Sequence, residues 1–128
     1  MSEDLDSLQN DALDSVVDAK ALISEISAYV GFENRHIEVL KSMRTLVADS
    51  VRDLSDGFYD YILEFASVRE VIERGGHDLG LMRCSLEGWL VSLFDGEYGE
   101  AYAKNRLNIG LRHVILGVDQ RLTAGAFS

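Results

Sequence analysis

Two side chains carry most of the chemistry this sequence offers, His113 and Tyr59. His113 lies in an apolar helical stretch, with Ile109 and Gly110 one turn before it and Gly117 one turn after. An imidazole there has two readings. It is a core histidine satisfied by a carbonyl, or it is a metal ligand in which one nitrogen binds iron and the other donates to the Ile109 carbonyl. Gly110 has no side chain and leaves room for a flat ligand near the backbone. Tyr59 follows Phe58 in the middle of an apolar stripe, so its hydroxyl needs a partner. It is a core aromatic bonded to solvent or a carbonyl, or a donor aimed into a ligand pocket. Phe58, Met82, Trp89 and Phe94 are candidate apolar walls. His36, beside Arg35 and Glu38, reads as a surface residue. His77, between Gly76 and Asp78, reads as an exposed residue at a helix start.

Helices must position these groups, because the apolar residues recur at steps of three and four nearly throughout. Leu5 to Val30 reads as an amphipathic helix, with acids such as Asp11, Asp14 and Asp18 on its polar face. Gly31 breaks the pattern. A second helix spans Glu33 to Val47, with Ile37, Leu40, Met43, Leu46 and Val47 inward. It continues through a kink into a third from Ser50 to Phe65, where Val51, Leu54, Phe58, Ile62 and Phe65 form the inner stripe. Ser67 to Arg74 forms a short helix ended by Gly75-Gly76. His77 to Phe94 and Glu97 to Leu116 are the next two, separated by the turn signal Asp95-Gly96, and Asp119 to Ser128 begins a last one.

Composition limits the function classes. Twelve Lys and Arg against 22 Asp and Glu give a net charge of −10. That field repels nucleic acid and anionic lipid. An apolar share of 47% is too high for a disordered chain. The single cysteine, Cys84, makes no internal disulfide and suits a reducing compartment. It is expected to fill a small buried space. The acidic N-terminus is unlike a secretory signal, and no apolar run approaches the ~20 residues that span a bilayer. A cytoplasmic protein that is not membrane-embedded is expected. The motifs G-x-S-x-G, H-E-x-x-H, C-x-x-C and G-x-x-x-x-G-K-[ST] are all missing, so the residues give no support for an enzyme.

Three stretches resemble the sensor globin domain of globin-coupled sensors, as in haem-based aerotaxis transducers. Residues 29–65, YVGFENRHIEVLKSMRTLVADSVRDLSDGFYDYILEF, are similar to the family's G-F, then a helix, then a helix bearing F-Y-D. Residues 86–113, LEGWLVSLFDGEYGEAYAKNRLNIGLRH, are similar to its L-F-x-G-x-Y and its arginine-rich helix ending in I-G-x-x-H. Residues 114–127, VILGVDQRLTAGAF, resemble its tail ending in G-A-F, with Gln120 and Leu122-Thr123 where the family has a proline and Trp-Tyr.

The resemblance implies an all-α, globin-like helical sandwich, truncated before the last two helices of the family. Residues 1–30 are its N-terminal extension helix and 31–128 its globin core. It implies haem b as cofactor, with His113 as axial ligand of the iron and Tyr59 as the distal hydrogen-bond donor. Met82 and Ser85 fall on the distal helix, and Phe58, Trp89 and Ile109 complete the cofactor contacts. The implied ligand is a diatomic gas, oxygen first. An output signalling domain outside this chain and a homodimer in the full-length protein follow from the same likeness. The alternative is a haemless globin-like interaction module, and the bland reading is a plain helical bundle.

Overall fold

A computed structural model describes residues 17–126. Among these the chain is all α, as expected, with seven helices and no strand. The helices are α1 (Ala19–Val30), α2 (Asn34–Ser42), α3 (Arg44–Ile62), α4 (Ala66–Gly75), α5 (Leu79–Ser92), α6 (Glu100–Ile115) and α7 (Gln120–Ala126). No helix among the described residues is long and apolar enough to cross a membrane.

Local chemistry sets the boundaries, and it corrects several that periodicity alone suggested. The expected helix from Leu5 to Val30 does not run through Val17 and Asp18. Asp18 takes an extended backbone, and its carboxylate accepts the Ala21 N–H at 3.0 Å. Such a side-chain acceptor satisfies an orphan donor of the first turn and starts a helix. The part of that expectation from Leu5 to Val16 lies outside the described residues. Asp78 starts α5 in the same way, accepting from Leu81 N–H at 3.1 Å, so His77 and Asp78 precede the helix. The break between α2 and α3 falls at Met43, earlier than the kink expected before Ser50. The Ser42 hydroxyl donates to the Val39 carbonyl at 2.6 Å there, a local bond that competes with continued helix.

Glycine ends α1 and α4. Gly31 has φ +70°, and Phe32 N–H donates back to the Ser27 carbonyl at 2.8 Å. Gly76 has φ +64°, with His77 N–H on the Ile72 carbonyl at 3.4 Å. Each is a left-handed cap that satisfies a carbonyl the helix leaves open.

The described chain gathers into two compact units. The first comprises the residues up to His36 together with Glu97–Ile115, and within it α1 packs on α6. Ala19 and Ala103 are its buried residues, small side chains that let the helices approach. A file of rings runs through this unit. His36 stacks on Phe32, Phe32 meets Tyr98 edge-on at 5.3 Å, Tyr98 meets Tyr102 at 5.1 Å, and Arg106 lies 3.8 Å from the Tyr102 ring centroid. His36, expected at the surface, is therefore half-buried.

The second unit comprises Ile37–Gly96 with the residues from Leu116, and its main packing is α3 on α5. Ser55 and Tyr59 are buried there. The stripe of α3 is rotated from the one expected. Leu54 is exposed because the small Ser55 occupies the contact with α5; Leu46 on the same helix, and Met43 and Phe65 beyond its ends, are exposed as well. Leu54 sits about 100° around the helix from that contact. Cys84, expected to be buried, is exposed.

Candidate functional site

The candidate residues fall into two groups, each within one unit. Ile109 and His113 lie on α6 in the first. Phe58 and Tyr59 on α3, with Met82, Ser85 and Trp89 on α5, lie in the second.

His113 stands in the last turn of α6. Its Nδ1 is 2.7 Å from the carbonyl oxygen of Ile109, one turn earlier. A carbonyl only accepts, so this bond puts the ring proton on Nδ1 and leaves the Nε2 lone pair as the available donor to a metal. The ring is exposed. Gly110 is exposed as well, and a Cβ built on it would meet nothing within 4 Å. The backbone is thus open to close approach on that side of α6. His36 shows the opposite tautomer: its Nδ1 accepts the Glu33 N–H at 2.9 Å, which keeps that nitrogen unprotonated at the start of α2.

Tyr59 has 8% of its surface exposed, and its hydroxyl donates to the Met82 carbonyl at 3.4 Å. An O–H···O bond is normally about 2.7–2.8 Å, so this one is long and weak. The carbonyl-bonded arrangement is one of the two the sequence left open. Burial raises the phenol pKa above its ordinary value, and the nearby Arg83 guanidinium partly opposes that shift. The phenol is therefore protonated and able to donate across the physiological range. Phe58 packs edge-on against Tyr59, ring centroids 5.3 Å apart. Phe58, Met82 and Trp89 are half-buried, and Ser85 is exposed. The Trp89 carbonyl accepts the Ser92 hydroxyl at 2.6 Å.

Arg83 was not among the residues the sequence singled out. Its guanidinium reaches from α5 to two carboxylates one turn apart on α3, Asp56 at 2.8 Å and Asp60 at 3.2 Å. Its own carbonyl accepts the Ser55 hydroxyl at 3.3 Å. The signal that could have found it was the pair Asp56 and Asp60, four residues apart on either side of Tyr59, with an arginine directly after Met82.

The donor chemistry of His113, taken by itself, would suit one nitrogen ligand of a haem. His113 supplies a single oriented imidazole, the donor set of an axial ligand. Among the described residues no three His, Cys, Asp or Glu side chains gather where they could hold a metal ion.

The described residues build an all-α fold, the fold class of a globin-type domain. The chain belongs to the protoglobin family, which it matches over residues 19–128, from the first residue of α1. No curated protein and no solved structure matches it.

Proposed function

We propose that this chain binds haem b and takes up a diatomic gas, oxygen first, as the input of a signalling protein. The observation that carries the reading is His113, exposed and with Nδ1 held by the Ile109 carbonyl. That bond fixes the ring about its axis and makes Nε2 a better donor, as outer partners of metal-bound imidazoles do. When bound, haem supplies an iron with an open coordination position for a gas. Tyr59 holds a proton on its hydroxyl in a part-apolar setting and offers it to a polar ligand. Such a donor favours a ligand that gathers negative charge, which separates oxygen from carbon monoxide. Phe58, Met82, Trp89 and Ile109 offer apolar surface to a porphyrin, and Ser85 a second hydroxyl on α5.

A ligand that prefers one of two conformations shifts their balance, and that is what a sensor transmits. The reading includes an output domain outside this chain, a homodimer in the full-length protein and a cytoplasmic location. It assigns no reaction to the site.

One observation favours the haemless interaction module. The Tyr59 hydroxyl already has an acceptor in Met82. Haem titration separates the two readings. The gas-binding reading expects a Soret band that His113→Gly loses or shifts and that added imidazole restores, with the far-UV circular dichroism unchanged. A spectrum identical in wild type and His113→Gly removes His113 from the site. A folded chain that takes up no haem selects the interaction module.

A further inference from the structure

The α3–α5 contact holds a polar seam. Ser55, Asp56, Tyr59 and Asp60 face Met82 and Arg83, and each of the four bonds one of those two residues. Arg83 stands at its centre. Two carboxylates grip its side chain, and the carbonyl of the preceding residue receives the Tyr59 hydroxyl. A guanidinium is suited to this because its rigid fork presents several N–H groups to two acceptors at once. An apolar side chain in its place would pack α5 without fixing its register along α3.

We infer that Arg83 is a positioning residue for Tyr59: by locking α5 to Asp56 and Asp60 it holds the Met82 carbonyl against the Tyr59 hydroxyl, so that Met82 competes with any ligand for that one proton. Tyr59 has a single O–H to give. Its 3.4 Å bond to Met82 is long enough to be surrendered to a better acceptor. Arg83 thereby sets how readily the phenol is released, without itself touching a ligand. The part that concerns gas rests on the haem reading above; the part that concerns Tyr59 does not.

The test has two arms. In the haem-free protein, the Tyr59 Cζ resonance, assigned by its loss in Tyr59→Phe, reports the hydroxyl's bonding. Arg83→Gln and the double variant Asp56→Asn/Asp60→Asn should both move that resonance toward the position of a solvated phenol. Arg83→Lys, which keeps the charge but loses the fork, should move it part of the way. Helical circular dichroism should stay at the wild-type level in all three. An unmoved Tyr59 signal in folded Arg83→Gln overturns the inference. If Arg83→Gln does not fold, an unmoved signal in the milder Arg83→Lys and double Asn variants overturns it equally.

In the haem-loaded protein, Arg83→Gln should slow oxygen dissociation by roughly two- to five-fold, the effect of freeing one hydrogen-bond donor. It should leave the rate unchanged in a Tyr59→Phe background. An equal change in both backgrounds marks general loosening and overturns the inference. If haem does not bind at all, the first arm still decides the role of Arg83, and only the gas-binding reading fails.

Discussion

Ser55 has no exposed surface, and its hydroxyl donates to the carbonyl of Arg83 across the α3–α5 contact at 3.3 Å. A residue this small lets the two helix backbones approach, and its hydroxyl uses the free lone pair of a carbonyl within α5. Ser55→Ala should cost about 0.5 kcal/mol, the low end for one hydrogen bond, because this one is long. Ser55→Leu should cost about 1–3 kcal/mol, because the larger side chain must push the helices apart. Urea denaturation followed by circular dichroism measures both, and the order Leu worse than Ala is the expected result.

Tyr59 links stability to alkaline pH. Its folded pKa is raised by burial, with Arg83 opposing, so the folded state keeps the phenol proton longer than the unfolded chain does. The linked stability is fully present below the unfolded value of about 10 and is lost as pH rises through the higher folded value. The urea midpoint should fall above pH ~10, and Tyr59→Phe should flatten that part of the fall.

At the start of α7 the pair Asp119 and Arg121 behaves in the opposite sense. Bonds from the Arg121 side chain and backbone hold the Asp119 carboxyl down to about 2. A depressed folded pKa stabilises above the ordinary carboxylate range, and that stabilisation is lost as pH falls through about 2. Both side chains are open to solvent, so salt screens the pair. An NMR titration of Asp119 should give a midpoint near 2 that climbs toward the ordinary range in Arg121→Gln.

The Gly31 cap isolates a backbone effect. At φ +70° an added Cβ would meet nothing within 4 Å, so Gly31→Ala is strained by its backbone alone. The expected cost is about 1 kcal/mol, with Gly31→Asn losing less because asparagine tolerates this region better. Thermal unfolding of the two variants checks the order.

The helices were legible because their apolar spacing is local. Their caps were partly so: Gly31 and Gly76 announced an end, whereas Asp18 looked like one more acid on a polar face. Only the chain's path makes Asp18 a cap. The hydrogen bond from His113 to Ile109 was legible for the same reason, since a turn of helix fixes who lies behind whom. Met43 was placed inward by periodicity and is exposed at the break before α3; Leu54, also placed inward, is exposed because the turn of α3 that brings Ser55 against α5 decides which side is covered. Cys84 was misplaced in the same way, on α5.

The sequence by itself determined the all-α character, the order of the helices, the two chemically distinctive side chains and the family likeness. All of these rest on residue type and on spacings within one or two helical turns. Tertiary structure alone decided that Arg83 grips Asp56 and Asp60, that the Tyr59 hydroxyl meets a carbonyl on α5, and that His36 stacks into a file of rings. Those contacts join residues far apart in the chain or depend on how one helix is turned against another. Spacing along a single helix leaves that rotation open, and the packing of side chains between helices fixes it.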